Sequence, residues 1–255
     1  MEEIRRIIEE KCREIEREQS VLLLGAVESG SRAWGIDSPD SDYDVRFLYL
    51  RRKEDYLRLE GFRDVIEWQL DDVLDINGWD LYKALRLLKK SNPTVIEWTN
   101  SPVVYFTTPL FEAFKELVPL YFSPKKGAYH YLSMTESNWK TNLSTSRVKA
   151  KKYFYVLRPL LAALWIIHRQ TPPPVLFERL VDAELPEELK GHVAELLQRK
   201  KEMNELELID HVEEIDRFVL SSVDLIRSSL PQLPDEEVSW EAANAFFLRA
   251  LEEMK

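Results

Sequence analysis

Cysteine is nearly absent. Cys12 stands alone in 255 residues, which excludes an intramolecular disulfide framework and fits a reducing compartment, so the cytoplasm is the expected location. Glycine is scarce too, with 7 in all, and without any low-complexity tract the chain leaves little room for a long disordered linker. No stretch reaches the roughly 18 uninterrupted apolar residues of a membrane-spanning helix. The stretch MEEIRRIIEEKCREIEREQS is charged throughout, so neither a signal peptide nor a membrane partner is expected. Positive charge is in deficit, with 35 Lys and Arg against 45 Asp and Glu and a net charge of −10. That argues against nucleic-acid binding by the whole surface and leaves room for a local basic groove. The motifs GxSxG, HExxH and CxxC do not occur, and no GxxxxGK followed by Ser or Thr marks a P-loop. His130, His168, His192 and His211 are scattered without metal-ligand spacing and are assigned no site.

What is present is concentrated between Val21 and Leu50, VLLLGAVESGSRAWGIDSPDSDYDVRFLYL. Val21 to Ala26 reads as a strand, Glu28 to Gly35 as a loop and short helix, and Gly35 to Asp40 as a turn cluster. Asp42 and Asp44 then alternate with Tyr43 and Val45 ahead of Phe47, Leu48 and Tyr49, which predicts two carboxylates on one face of one strand, about 7 Å apart. Like charges so placed repel, and a fold that keeps them usually has a cation between them. Oxygen ligands favour Mg²⁺ or Mn²⁺ over zinc. Upstream, Gly30 and Ser31 let backbone N–H groups and a hydroxyl approach an anion, and Arg32 offers a planar fork to phosphoryl oxygens. Arg46 shares the strand parity of Asp42 and Asp44 and is expected to face the same site. A phosphate cradle followed by a metal-binding carboxylate pair is a kit for phosphoryl or nucleotidyl transfer.

The spacing of Gly30-Ser31, ten intervening residues and Asp42-Tyr43-Asp44 resembles the signature of the DNA polymerase beta superfamily of nucleotidyltransferases. More narrowly, ESGSRAWGIDSPDSDYDVRFLYL, LDINGWDLYKAL and SNPTVIEWTNSPVVY resemble the RNA-repair-pathway polymerase-beta-like family over roughly the first two thirds of the chain. The resemblance implies an α/β fold of the α+β kind, a mixed sheet flanked by helices and followed by a helical domain. It implies an NTP substrate, Mg²⁺ or Mn²⁺ on Asp42 and Asp44, and a hydroxyl acceptor such as an RNA end. It also implies a third carboxylate, on the strand after the one that bears Asp42 and Asp44, which completes the metal site as base for the attacking hydroxyl or as a ligand of the catalytic metal, and for which Asp75 is favoured over Glu67. The alternatives are an antitoxin-like or regulatory module acting on a partner protein, and a small-molecule (antibiotic) nucleotidyltransferase.

The rest of the chain is expected to build around that stretch. Ile4, Ile7, Ile8, Cys12 and Ile15 recur at helical spacing over residues 2–18. Arg63–Gln69 and Val73–Ile76 are expected as strands joined by a turn at Asp71 and Asp72, with Asp75 ending the second and a helix starting near Trp79 and running to Lys90. Trp98 reads as core, and Pro109–Leu120 as a helix. A boundary near Ser123 separates a nucleotidyltransferase domain, 1–122, from a helical domain, 123–255. Helices are expected there over 129–143, 146–170, 174–181, 186–204 and 208–229, and from Trp240. Within TSRVKAKKYFYVLRPLLAALWIIHR, Lys151, Tyr155 and Arg158 share a helical face, and the family pattern singles out Lys152 and Tyr155 as nucleotide contacts.

Overall fold

The computed structural model describes residues 2–71, 73–202 and 208–254. Asp72 and Asn204, which figure in the expectations above, lie outside the described residues. Contacts divide the chain into two units, one made of Met1–Ala33, Ser41–Tyr121 and Glu237–Lys255, the other of Trp34–Asp40 and Phe122–Glu236. One crossing falls between Tyr121 and Phe122, one residue ahead of the expected division. Trp34–Asp40 and Glu237–Lys255 each go with the unit on the other side of that division.

The first unit is a five-stranded mixed sheet flanked by helices. In chain order it contains α1 (Glu2–Gln19), β1 (Leu22–Glu28), α2 (Gly30–Trp34, whose last residue counts with the second unit), β2 (Tyr43–Leu50) and α3 (Lys53–Tyr56). There follow β3 (Val65–Leu70), β4 (Leu74–Asp80), α4 (Leu81–Leu88), α5 (Pro93–Thr99), β5 (Val104–Thr107), α6 (Pro109–Lys115) and α7 (Val118–Tyr121). The sheet order is β3-β4-β2-β1-β5, with β2 and β4 parallel and the other neighbours antiparallel. The apolar stripe of α1 buries Ile8, Cys12 and Ile15 in one cluster with Leu23, Val45, Phe47, Tyr49, Ile76 and Tyr105. Burial pushes the Cys12 thiol up to about 12, so it is a packing group.

Local chemistry starts the helices. Asn92, Thr108 and Ser123 each stand before a proline and accept a backbone N–H from Val95, Phe111 and Lys126, at 3.3 Å in all three cases. A polar cap followed by Pro at the first helical position satisfies an orphan donor and fixes φ in advance. Three local expectations are corrected. The helix expected over Pro109–Leu120 breaks after Lys115, because Pro119 has no N–H to return to the Lys115 carbonyl. Trp79 is strand, since β4 runs on to Asp80, whose side chain accepts the Tyr82 N–H at 2.8 Å and caps α4. Asp75 is therefore the second residue of β4 and not its last. Trp98 is core, with its ring 4.2 Å from that of Trp79.

The second unit is organised around α9 (Ala150–Arg169), which is preceded by α8 (Pro124–Asn142) and β6 (Arg147–Lys149). It is followed by α10 (Phe177–Glu184), α11 (Glu187–Glu202), β7 (Leu208–Asp210) and α12 (Glu213–Ser229), while α13 (Glu241–Glu253) belongs to the first unit. Along α9 the side chains from Val156 through Leu164 are buried without a break, so this helix is the centre of the unit, packed by α8, α10, α11 and α12. The expectation of helix alone fails at β6 and β7, which pair Val148 with Ile209. Both residues are β-branched and buried between more open neighbours, but three-residue strands are too short to show an alternation. Among the described residues no helix is long and apolar enough to cross a membrane.

Candidate active site

Parallel pairing of β2 with β4 sets Asp44 beside Asp75 and Arg46 beside Asn77. Arg46 occupies the space between the two acids. Its Nη2 donates to Asp44 Oδ1 at 2.7 Å and to Asp75 Oδ2 at 2.6 Å, and its Nη1 donates to the carbonyls of Asp75 at 2.8 Å and Val45 at 3.1 Å. The remaining Asp75 oxygen, Oδ1, accepts from Asn77 Nδ2 at 3.1 Å. The three charged side chains are partly open, at 22% for Asp44, 23% for Asp75 and 13% for Arg46. Burial pushes the Asp44 carboxyl above its ordinary range, Arg46 pulls it back, and Asp42 and Asp75 push it up again.

The second Asp44 oxygen, Oδ2, abuts Gly30. A Cβ on Gly30 would lie 1.9 Å from it, and the residue has φ of +57°, so both space and backbone require glycine there. The chain is tied at this point by Ser29 N–H, which donates to the Asp44 carbonyl at 2.8 Å. Beneath it, Glu28 closes β1 as a wholly buried acid. It accepts the Asp44 N–H at 2.7 Å and the Tyr105 hydroxyl, and burial raises its carboxyl. Glu28 was not among the expected site residues. The signal for it is a lone acid at the end of an apolar strand, immediately before Ser29 and Gly30.

Asp42 stands one residue ahead of β2 and is exposed, so the two carboxylates of the DxD do not both lie on the strand. Among the described residues no three acidic, histidine or cysteine side chains converge as a metal cage. Asp44 and Asp75 are brought together through Arg46, and Asp42 flanks them. Glu67 is two strands from Asp44, on β3, with its exposed carboxylate paired to Arg63. Ser31 follows Gly30 in α2, partly exposed. Arg32 donates to the carbonyls of Ser41 and Asp42 and lies 3.9 Å from the centre of the Tyr43 ring, fastening the backbone that carries Asp42. Asp44 and Asp75 share the Arg46 guanidinium, and the Asp42 carboxylate acts on Asp44 as a further negative charge. Those residues fit a hard divalent cation at Asp42 and Asp44.

In the second unit Lys152 Nζ lies 5.0 Å over the Tyr155 ring, which is 37% exposed and meets the edge of Trp34 at 6.3 Å. Arg158 does not share that exposed face. It is 2% exposed, its guanidinium stacks 4.4 Å over Trp34, and it donates to the Val175 carbonyl at 3.4 Å. The expected basic stripe is thus split into a surface pair and a buried cation. His211 bonds Asp216 at 2.6 Å and the Thr145 carbonyl at 2.7 Å, a tie between segments of the second unit.

Comparison with known proteins follows the same lines. The model of the RNA repair pathway DNA polymerase beta family, RlaP, matches residues 4–249. The uncharacterized protein YcgL of Bacillus subtilis (strain 168) is 44% identical over 254 residues, which is 98% of this chain and 96% of that protein. The crystal structure of a nucleotidyltransferase-like protein from Exiguobacterium sibiricum 255-15 overlaps 96% of this chain and 80% of its own at 11% identity, with a TM-score of 0.30. That overlap is too loose to carry a residue-by-residue correspondence.

Proposed function

The chain belongs to the RNA repair pathway DNA polymerase beta family, and from that premise we propose that it transfers a nucleoside monophosphate from an NTP to a hydroxyl acceptor, an RNA end being the acceptor the family suggests. The observation that carries this reading is the pair Asp44 and Asp75, in register on adjacent parallel strands and sharing one guanidinium nitrogen, with Asp44 pressed against the glycine that opens α2.

In this reading Asp42 and Asp44 hold Mg²⁺ or Mn²⁺, which when bound neutralises triphosphate charge and acidifies the acceptor hydroxyl. The acceptor oxygen bonds to the α-phosphorus, the bond to the bridging oxygen of the β-phosphate breaks, and pyrophosphate leaves. The hydroxyl proton passes to a carboxylate of the site, for which Asp75 is placed beside Asp44. Gly30 and Ser31 receive phosphate oxygens, Arg32 keeps Asp42 in position, and Glu28 holds the Asp44 backbone. In the second unit, Lys152 and Tyr155 remain the candidates that the family pattern offers for nucleotide contact, by a cation and an aromatic ring.

The test is to incubate the purified protein with Mg²⁺ and each α-labelled NTP, with and without RNA bearing a free 3′ hydroxyl. Label is expected to move to RNA with release of pyrophosphate. Unlabelled RNA with all four NTPs would remove RNA as the acceptor.

A further inference from the structure

Arg46 is the cation that the carboxylate pair already has. Its Nη2 sits within hydrogen-bond distance of both Asp44 Oδ1 and Asp75 Oδ2, so it already holds one of the two Asp44 oxygens that a divalent cation would use. It carries one positive charge against the two of that pair, and Asp42 adds a third negative charge alongside. Two carbonyl contacts from Nη1 hold the fork in that place. A planar guanidinium suits this bridging, and it suits phosphate oxygens equally well.

We propose that Arg46 competes with the divalent cation for Asp44 and, once displaced, binds the phosphates. In the nucleotide-free protein it holds the two carboxylates together. When a doubly charged ion binds Asp44, the like charge is repelled, and the guanidinium is released from Asp44 Oδ1 toward the phosphates of the incoming nucleotide. One side chain thereby links metal loading to triphosphate binding. The inference rests on the nucleotidyl-transfer reading and gives that site an order of events.

The experiment measures Mn²⁺ binding by the spin-resonance signal of the free ion, in the wild-type chain and in Arg46→Met and Arg46→Lys, without nucleotide. Removing a competitor should tighten Mn²⁺ binding about tenfold in Arg46→Met, and a single ammonium, which cannot fork to both acids, should give an intermediate value. At saturating Mn²⁺ the same Arg46→Met should bind a non-hydrolysable NTP analogue about tenfold more weakly than the wild type. Circular dichroism checks that each variant is folded. If Arg46→Met fails to fold, wild-type Mn²⁺ affinity in Arg46→Lys overturns the proposal. Equal or weaker Mn²⁺ binding in a folded Arg46→Met also overturns it, by making Arg46 a structural tie. A crystal of the wild type soaked in Mn²⁺ that shows the ion on Asp44 and Nη2 still bonded to Oδ1 does the same. A wild-type chain that binds the NTP analogue while the Arg46 variants match it in Mn²⁺ affinity removes this proposal alone. A wild-type chain that binds neither Mn²⁺ nor the analogue removes both this and the transfer reading.

Discussion

The two ends of the β2–β4 pair use the same residue types to opposite effect. At the amino-terminal end, Asp44 and Asp75 share Arg46 and remain partly open. At the carboxyl-terminal end, where Tyr49 pairs with Asp80, a single acid is wholly buried and amply supplied with donors. Asp80 accepts the Tyr82 N–H at 2.8 Å, the Tyr56 hydroxyl lies 3.0 Å from both its oxygens, and Arg51 Nε lies 3.8 Å away. Burial is the main cause that pushes its carboxyl up to about 6. The difference lies in stoichiometry and access. One acid with several donors and no solvent is a structural joint, whereas several acids around one cation, open to solvent, retain charge for a ligand to neutralise.

That contrast is most directly broken at Asp44. Asp44→Asn should keep the fold and lower label transfer about a thousandfold or more, as loss of a metal ligand does. Undiminished turnover would end the distinction between the two ends. Asp75→Ala should cost about a hundredfold while Glu67→Ala stays within about twofold, because only the former lies beside Asp44; equal losses in the transfer assay would return Glu67 to consideration. Gly30→Ala introduces a Cβ that Asp44 Oδ2 must avoid, and a displaced carboxylate should lower transfer about ten- to a hundredfold. At the other end the effect should be on stability alone. Asp80→Ala removes a helix cap and the partner of the Tyr56 hydroxyl, for a loss of about 2 to 4 kcal/mol in urea unfolding, while Asp80→Asn keeps the cap and stays within about 1 kcal/mol at pH 7.

The smallest effect is in pH. Because the Asp80 carboxyl titrates near 6 when folded and near 3.8 as a free side chain, the folded chain binds the extra proton between those values. Its contribution therefore rises as pH falls from about 6 to about 4, by an amount on the order of 1 to 3 kcal/mol. Glu28 and Asp44, also raised by burial, act in the same direction. Subtracting the Asp80→Asn unfolding curve from the wild-type one isolates the Asp80 part, and parallel curves would show that the buried acid exchanges no proton on folding.

The strand–glycine–helix–strand order around Gly30 was legible because each piece is local: an apolar run, a turn cluster and an alternation of period two. Alternation gives a face and not a first residue, so it could not show that β2 begins at Tyr43 and leaves Asp42 outside. It placed Arg46 on the side of Asp44 but not in its partner's grasp, since that depends on which strand lies alongside, and β4 arrives only after the β3 excursion. Likewise the sequence marks Lys151, Tyr155 and Arg158 as one helical face, yet burial under Trp34 singles out Arg158. Non-local neighbours decided each of these, and no short window of sequence contains them.

The return of α13 to the first unit bears on how this gene can be cut. The Tyr121 hydroxyl donates to the Ser239 carbonyl at 3.0 Å and accepts the Ala243 N–H at 2.9 Å, while Phe246 packs on Phe114 at 5.9 Å. A fragment ending at Tyr121 would therefore lose part of its own wall. Just beyond those residues, Ser123 bonds Asp235 at 3.0 Å, Lys126 pairs with the same carboxylate at 3.2 Å, and Lys125 N–H reaches the Pro234 carbonyl at 3.4 Å, so the stretch from Phe122 to Glu236 leaves and comes back at nearly one point. Adjacent ends make the stretch from Phe122 to Glu236 resemble an insertion, with Trp34–Asp40 as a second, shorter crossing into the same unit. A short linker joining Tyr121 to Glu237 would keep α13 with the sheet it packs on, but it would leave Trp34–Asp40, which count with the second unit, without the Arg158 guanidinium that Trp34 stacks on.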